Sequence, residues 1–261
     1  MSLAMRLVHR FVNSQPRVRE QLTRMIYGSK DTDIELFLHQ VRVNALLENG
    51  YYRAAGRARG SNTLRHESAI LQRLALFIED DMTFVDIGAN IGLFSLSVAE
   101  VSNLYPKFRV VAFEANPDTA KRLRVNADRY GFEAFSCPLA STEREIEFVG
   151  GAVSGVTTIA DRATAYNVAS RRFTAKTRRL DSFDLSGNLF LKIDVEGQEL
   201  DVLHGASAFF EAGRVKAVYV DGFDYDQAIP NFLTSHGMTL LDPVTLRPFT
   251  PADHTVLAIR R

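Results

Sequence analysis

The stretch FVDIGANIG, residues 84–92, decides the fold of this chain. It consists of an apolar strand, an acidic residue, a turn with two glycines and a helix that starts near Leu93. Such a turn brings the main chain close to a nucleotide-like ligand at the carboxyl edge of a parallel sheet. Gly88 and Gly92 lack a Cβ atom, so the turn can bend tightly and a ligand can lie against the backbone.

The glycine spacing in this turn differs from two common nucleotide-binding patterns. Gly-x-x-x-Gly has no third glycine and no following Gly-Lys-Ser/Thr, so it fits neither the dinucleotide pattern nor the phosphate loop. A nicotinamide-dependent sugar oxidoreductase or epimerase would share the fold but would use a Tyr-x-x-x-Lys pair. Tyr130 and Tyr166 each lack a lysine four residues later, which weighs against this alternative.

In two later segments of the chain, a predicted strand is again followed by an acidic residue. The strand-like FRVVAF, residues 108–113, ends at Glu114, 28 positions after Asp86 and about one βαβ unit later. A carboxylate at the tip of the second strand can accept hydrogen bonds from both hydroxyls of a ribose. The third segment, LFLKIDVEGQE at residues 189–199, is another buried type of strand and ends in a dense cluster of charge.

In this order and spacing, FVDIGANIG, VVAFEANP and LKIDVEGQE resemble the FkbM family of S-adenosylmethionine-dependent methyltransferases. The resemblance covers about residues 64–220, and LKIDVEG is its most family-specific block. Residues 114–117 are Glu-Ala-Asn-Pro where the family most often has Glu-Pro-Asn or Glu-Pro-x-Pro, a departure that keeps the acid. The resemblance implies a Rossmann-like class I methyltransferase fold, a seven-stranded and mostly parallel sheet with helices on both faces. It also implies O-methyl transfer, often to a sugar hydroxyl.

The cofactor site is expected at the first two strand ends. The residues placed to hold S-adenosylmethionine are Asp86, Gly88, Ala89, Asn90, Gly92, Glu114 and Asn116. Asp86 has a second interpretation, as a carboxylate that interacts with the amino terminus of the next helix.

The third strand end carries the candidate catalytic residues. An alcohol acceptor is a poor nucleophile and needs a base or a metal ion to remove its proton. Lys192 and Asp194 alternate with an apolar residue, so both project to the same face of the strand. We predict Asp194 or Glu196 as the base or as ligands of a magnesium-like ion, and Lys192 as a residue that orients them or holds the acceptor oxygen. A structural salt-bridge cluster is the alternative interpretation.

The composition indicates which kinds of binding partner and which cellular compartment suit this chain. The chain has 31 basic and 31 acidic residues, so no overall field attracts nucleic acid. The single cysteine, Cys137, rules out an internal disulfide framework and suits a reducing cytoplasm, where we expect the protein. No run of 18 apolar residues exists, so nothing in the sequence indicates a transmembrane segment.

We predict an N-terminal extension over residues 1–63, a helix plus a β-hairpin, and a methyltransferase domain over 64–261. Residues 1–19 form a basic amphipathic pattern without the features of a signal peptide, which predicts a helix that packs on the core, a partner or a membrane surface. Asn49-Gly50 between apolar runs predicts a hairpin turn. Apolar spacing predicts a helix over about 65–79 that leads to a strand at 83–87.

Later elements follow from capping and alternation patterns. Asn116 and Pro117 predict the start of a helix that ends near Tyr130, with Gly131 as its C-terminal stop. Further strands are predicted in the following ranges: 133–137, 189–194, 215–220 and a final antiparallel pair at 238–241 and 254–259.

A β insert is predicted at about residues 143–183, over the mouth of the site, with the loop 150–155 as a lid. Five cations lie within nine residues of this insert: Arg171, Arg172, Lys176, Arg178 and Arg179. They predict either a solvated strand face or a contact for an anionic acceptor such as a nucleotide- or lipid-linked sugar.

The predicted function is O-methyl transfer to a hydroxyl of a sugar or sugar-bearing metabolite, such as a polysaccharide, a lipid-linked glycan or a signal oligosaccharide. The alternative is a non-catalytic cofactor-binding module of a glycan-assembly complex. The charged LKIDVEG block at residues 191–197 favours an enzyme, because a scaffold has no need of that charge.

Overall fold

The structure is a computed structural model that describes residues 16–55, 62–150, 157–160, 171–222, 227–251 and 253–260. Its helices are α1 (Pro16–Tyr27), α2 (Asn49–Ala55), α3 (Asn62–Leu74), α4 (Leu93–Ala99), α5 (Pro117–Tyr130), α6 (Glu199–His204), α7 (Ser207–Glu211) and α8 (Ala228–Ser235). Its strands are β1 (Asp31–Leu36), β2 (His39–Asn44), β3 (Met82–Ile87), β4 (Arg109–Glu114), β5 (Glu133–Ser136), β6 (Glu145–Gly150), β7 (Thr157–Ile159), β8 (Arg171–Lys176), β9 (Asn188–Ile193), β10 (Val215–Val220), β11 (Thr239–Leu241) and β12 (Val256–Ile259). Short 3₁₀ turns follow α3 and α4 and precede β9.

The central sheet has seven strands in the order β11-β12-β10-β9-β3-β4-β5. The five strands from β10 to β5 are parallel, and β12 is antiparallel to both of its neighbours. Every residue of β3 is buried, as expected for a strand in the middle of a parallel sheet that is covered on both faces. The predicted seven-stranded, mostly parallel sheet is confirmed, and so is its final antiparallel pair.

Helices pack against both faces of this sheet and enclose two apolar cores. One core lies under α3 and α4 and includes Ile70, Leu74, Phe84, Phe94 and Phe190. The other core lies under α6, α7 and α8 and includes Val85, Leu191, Val202, Phe210 and Leu233. Successive residues of one strand therefore enter opposite cores, which explains why the central strands are continuous apolar runs.

Helix α5 begins and ends where the sequence predicts. The Asn116 side chain accepts hydrogen bonds from the backbone N–H groups of Asp118 and Thr119, and Pro117 occupies the first helical position. Gly131 ends the helix with a φ of 72°, in the left-handed region that favours glycine. Because this helix follows Glu114 directly, its cap fixes the main chain beside the second strand end.

The predicted hairpin turn at Asn49-Gly50 is wrong. The hairpin is β1–β2, and its two-residue turn is Phe37-Leu38, both with positive φ. Asn49 and Gly50 begin α2 instead, and the Asn49 amide donates to the carbonyl of Ala45. The side chain of Asn44 already turns the chain into this helix, because it accepts hydrogen bonds from the two backbone N–H groups after Ala45.

A buried ion pair holds the N-terminal elements against α5. Arg122 Nη2 lies 2.6 Å from Glu48 Oε1, and the two side chains are 5% and 0% exposed. Burial raises the pKa of Glu48, although Arg122 lowers it. Asn126 links the same elements a second time, because its side chain forms hydrogen bonds with the main chain of both Arg42 and Ile91. Residues 16–55 therefore contact the sheet domain directly, while the boundary at residue 63 stays a prediction.

The insert forms a separate antiparallel sheet in the order β7-β6-β8, within the predicted range 143–183. Of the predicted lid loop, only Gly150 belongs to the described residues, and of the predicted N-terminal helix only its end does, in α1. Across the described helices, none is both long and apolar enough to span a bilayer.

Candidate functional site

The glycine turn after β3 is held by main-chain contacts. Gly88, Asn90 and Gly92 have φ angles of 75°, 53° and 84°. The N–H groups of Gly88 and Ala89 both donate to the carbonyl of Phe113 at the end of β4, at 3.0 and 2.9 Å. A Cβ atom on Gly88 would lie 1.8 Å from the carbonyl oxygen of Asp194. The turn therefore needs glycine at position 88 for close approach as well as for its backbone conformation.

Glu114 ends β4 directly beside this turn and is 6% exposed. Its two carboxyl oxygens accept hydrogen bonds from the N–H groups of Asn90 and Asn116, at 2.9 and 2.8 Å. Burial raises the pKa of Glu114 to about 7, although both N–H groups lower it. Each oxygen keeps a lone pair for a ligand hydroxyl, so the carboxylate can still bind one.

A cavity lies between the carboxyl edge of the sheet and the insert. Five of the predicted site residues line it: Gly88, Asn90, Glu114, Asp194 and Glu196. Much of its remaining wall is apolar and comes from Phe113, Leu139, Ile146, Phe148 and Ile159. Strands of the insert thus form part of the cavity wall, and the apolar part of this wall suits a flat, apolar group.

The apolar wall was not predicted residue by residue. Ile146 and Phe148 alternate along β6, and this alternation marks one face of the strand as inward-facing. That signal distinguishes the two faces of the insert, but it does not show which neighbouring surface the inner face covers.

Asp86 lies beneath the turn and is fully buried rather than facing the cavity. Its Oδ2 accepts hydrogen bonds from the Ser95 backbone N–H, at 3.2 Å, and from the Ser95 hydroxyl, at 2.7 Å. Its Oδ1 lies 3.1 Å from Lys192 Nζ. This geometry matches the second interpretation of Asp86, a carboxylate bound in the first turn of α4, and it adds a contact with Lys192.

Three oxygens surround the Lys192 ammonium: Asp86 Oδ1, the Gly88 carbonyl at 3.2 Å and Asp194 Oδ2 at 3.5 Å. Burial alone would lower the pKa of Lys192, but Asp86 and Asp194 raise it above its ordinary value. The lysine therefore stays charged and acts as a clamp between the glycine turn and Asp194. Of the two roles that the sequence allows Lys192, this contact corresponds to orienting the carboxylate.

Asp194 and Glu196 lie at the cavity after the end of β9. Burial raises the pKa of Asp194, and Lys192 opposes this shift. Burial and the neighbouring Asp194 raise the pKa of Glu196 to about 6. Both groups thus have pKa values shifted toward neutrality, as general bases at neutral pH require.

The donor set for a magnesium ion is smaller than such a site needs. Within the described ranges, no group of three or more His, Cys, Asp or Glu side chains is arranged to hold a metal ion. One oxygen of Asp194 is also taken up by Lys192. The described residues therefore provide no ligand set for the magnesium-like ion that the sequence allows.

Three other predicted cofactor residues lie outside the cavity wall. Ala89 is buried in the turn, and a Cβ atom on Gly92 would lie 2.7 Å from Leu123. Asn116 caps α5 and lies 3.5 Å from the Thr157 hydroxyl of the insert. None of these three side chains lines the cavity.

Each of the five insert cations has a partner in the structure. The pairs are Arg171 with Asp118, Arg172 with Glu147, Lys176 with Glu143, Arg178 over the Phe183 ring and Arg179 with Asp181. The first three cations are also largely exposed. An anionic acceptor would have to displace these carboxylates from the cations. The ion pairs therefore fit a solvated strand face better than a binding site for an anion.

Comparison with known proteins identifies a family that this chain matches. Residues 86–240, more than half of the chain, match the model of the Methyltransferase FkbM domain. The hexuronic acid methyltransferase AglP of Haloferax volcanii is 32% identical over 155 residues, which are 54% of this chain and 57% of AglP. The AMB antimetabolite synthetase AmbE of Pseudomonas aeruginosa is 30% identical over 177 residues, 52% of this chain and 8% of AmbE. The chain thus spans less than two thirds of either relative.

Two of the solved structures to which the chain is similar are named as methyltransferases, and both have low sequence identity to it. The S-adenosylhomocysteine-bound methyltransferase PaMTH1 of Podospora anserina is 13% identical with a TM-score of 0.43, over 81% of this chain and 83% of that one. A tRNA (uracil-54, C5)-methyltransferase of Pyrococcus abyssi is 10% identical with a TM-score of 0.41, over 89% of this chain and 44% of that one.

Proposed function

The chain belongs to the FkbM family of methyltransferases, and from this membership we propose that it methylates a hydroxyl group of a sugar or sugar-bearing metabolite. It is an S-adenosylmethionine-dependent methyltransferase. The observation that carries the proposal is the position of Asp194, which lines the cavity while its main-chain carbonyl lies against the glycine turn. The name of AglP, a hexuronic acid methyltransferase, supports a sugar as the acceptor class.

Glu114 and the glycine turn fit a nucleoside cofactor. We assign Glu114 to the ribose hydroxyls, because each of its oxygens keeps a lone pair beside the cavity. Gly88 lines the cavity, and its missing Cβ atom leaves room for the Asp194 main chain, which keeps the turn close to the end of β9. The apolar wall around Phe113 and Leu139 suits the adenine ring. When bound, S-adenosylmethionine supplies a methyl group already activated on a sulfonium.

Asp194 is the proposed base. The acceptor hydroxyl would donate a hydrogen bond to the Asp194 carboxylate, which would accept its proton during methyl transfer. In that transfer the acceptor oxygen would gain its bond to the methyl carbon as the methyl–sulfur bond breaks, and S-adenosylhomocysteine would be the leaving group. Lys192 holds the carboxylate in place from below, at 3.5 Å. Glu196 lines the same cavity and is the second candidate for this role.

Titration calorimetry with S-adenosylhomocysteine tests the cofactor assignment, with NAD as a parallel ligand. We expect micromolar binding of S-adenosylhomocysteine and a loss of about 30-fold in the Glu114→Ala variant, because two hydrogen bonds to a charged group disappear. Glu133→Ala is the matched control, since Glu133 is an exposed carboxylate on the neighbouring strand and should leave the Kd unchanged. Binding of NAD alone would overturn the proposal, and an unchanged Kd in Glu114→Ala would refute the role of Glu114.

The affinity for S-adenosylhomocysteine should rise with pH between about 6 and 8. The pKa of Glu114 is about 7 in the folded protein, above its ordinary value, so the free protein holds a proton there that an unfolded chain would release. The free energy of unfolding of the free protein therefore falls as the pH rises from about 4.5 to about 7, because the folded protein keeps a proton on Glu114 that the unfolded chain releases. Ribose hydroxyls donate to the ionised form, so binding lowers the pKa and releases the proton.

At pH 7 this release amounts to about half a proton per ligand bound. Titrations in buffers of different ionisation enthalpy measure it, and Glu114→Gln should abolish it. Glu196, with a pKa of about 6, also faces the cavity, so Glu196→Gln serves as the matched variant that should keep the release. Equal proton release in wild type and Glu114→Gln would contradict the assignment.

A further inference from the structure

A row of polar side chains crosses the sheet on the face covered by α3 and α4. Strand register places Asp86, Lys192 and Tyr219 side by side on β3, β9 and β10. Two residues further along, Asp194 and Asp221 follow the ends of β9 and β10 and project to the same side. The row therefore leads from the buried core to the carboxyl edge, where ligands bind in open α/β sheets.

Helix α3 brings another carboxyl group to this face. The chain leaves α3 and enters β3 at the amino edge of the sheet, so the first half of α3 lies toward the carboxyl edge. Glu67 lies three and seven residues before Ile70 and Leu74, which are buried against the sheet, so it is on the same face of the helix. Its Oε1 accepts a hydrogen bond of 2.9 Å from the Tyr51 hydroxyl of α2.

Three polar atoms in this cluster are buried without a hydrogen-bond partner among the described residues, and one of them, Asp86 Oδ1, forms an ion pair with Lys192. The other two are Glu67 Oε2 and the hydroxyl oxygen of Tyr219, a residue with 0% exposure. Buried polar atoms are nearly always hydrogen-bonded in folded proteins, so each of these two calls for a partner that the described chain does not supply. A bound ligand with hydroxyl groups would supply both.

The pKa shifts of Glu67 and Tyr219 show which charged groups lie near these two atoms. Burial raises the pKa of Glu67 to about 7, and among its neighbours Lys192 lowers it while Asp194 raises it. Burial raises the pKa of Tyr219 as well, and the carboxylates of Asp221 and Asp194 add to this shift. Asp221 also interacts with the Tyr219 hydroxyl itself, but outside the geometry of an ordinary hydrogen bond. The Tyr219 hydroxyl therefore keeps its proton and lies near the same acids that line the end of the strands.

We propose that Glu67 Oε2 and the Tyr219 hydroxyl hydrogen-bond hydroxyl groups of the methyl acceptor, so that α3 carries part of the acceptor site. The inference rests on the proposed function and adds the chemistry of one corner of the acceptor. Among the described residues, four carboxyl groups, those of Glu67, Asp86, Asp194 and Asp221, interact here with the Lys192 cation. A carboxylate or phosphate would be repelled, so this corner binds an uncharged polyhydroxyl portion of the sugar.

The test uses the full chain saturated with S-adenosylhomocysteine and saturation-transfer NMR with simple glycosides. The probes are the methyl glycosides of glucose, galactose and mannose and of the matching hexuronic acids. The variants are Glu67→Gln, which keeps the size and the contact with Tyr51, and Tyr219→Phe. Glu79→Gln is the control, because Glu79 is an exposed carboxylate close to the other end of α3.

At least one neutral glycoside should bind, about fivefold tighter than its uronic acid counterpart. Each variant should weaken that glycoside about fivefold, as expected for one lost hydrogen bond, while the Kd of S-adenosylhomocysteine stays within about twofold. If Glu67→Gln lowers Tm, Tyr219→Phe decides the result. The proposal is overturned if no glycoside binds, if the uronic acids bind as tightly, or if the variants bind like wild type. Failure of wild type to bind S-adenosylhomocysteine would instead count against the proposed function.

Discussion

Replacing Asp194 by asparagine should lower kcat about 1,000-fold and change the Kd of S-adenosylhomocysteine by less than about threefold. Asparagine keeps the size of the side chain but cannot take the proton of the acceptor hydroxyl. The fold should survive, because Lys192 retains its contacts with Asp86 and with the Gly88 carbonyl. The measurement is release of S-adenosylhomocysteine with the best acceptor from a sugar panel, alongside calorimetry of the same variant.

Asp201→Asn is the matched control for this experiment. Asp201 lies on α6 seven residues later, pairs with Arg144 and does not line the cavity. Its replacement should leave kcat unchanged. Wild-type turnover in Asp194→Asn would show that the base is another group, and Glu196→Gln would then be the next variant to measure.

Replacing Gly88 by alanine should weaken binding of S-adenosylhomocysteine by about 100-fold or more. The new Cβ atom would lie 1.8 Å from the carbonyl oxygen of Asp194, so either the glycine turn or the end of β9 has to move. The carbonyl that contacts Lys192 would move with it. We also expect the free energy of unfolding to fall by about 3 kcal/mol, as in other overpacked positions.

Gly131→Ala separates this clash from the cost of the backbone conformation. Gly131 has nearly the same φ, 72° against 75°, but a Cβ atom there would meet nothing within 4 Å. That variant should lose about 1 kcal/mol of stability and keep its cofactor affinity. Calorimetry and urea unfolding of both variants measure the two effects. Similar losses in the two variants would show that close approach at Gly88 is unimportant.

The sequence predicts the sheet and the contacts around the glycine turn because both depend on local patterns. The glycine turn, Glu114 and the Asn116 cap are each defined by a few neighbouring residues, and parallel strands bring their ends to one edge. The hairpin turn at Phe37-Leu38 carries no glycine or asparagine to mark it, so the Asn49-Gly50 signal was misleading.

Other parts of the site depend on contacts between distant segments. Glu67 is an ordinary acidic residue in a helix, and Tyr219 is an ordinary aromatic residue in a buried strand. Only packing of α3 over β9 and β10 brings these two side chains to the same corner as Asp194. The orientation of Asp86 toward Ser95 and Lys192 is likewise a tertiary feature, since the sequence pattern fits either interpretation.

If the proposed assignments hold, the Lys192 clamp makes binding of the two substrates thermodynamically coupled. One ammonium touches both the Gly88 carbonyl, in the turn proposed to hold the cofactor, and the carboxylate of Asp194, the proposed base for the acceptor. A ligand that shifts one of these oxygens changes how strongly the ammonium holds the other. Such coupling is reciprocal: any factor by which the cofactor tightens acceptor binding is the factor by which the acceptor tightens cofactor binding. The order in which the two substrates bind therefore cannot alter the stability of the ternary complex, only the route by which it forms.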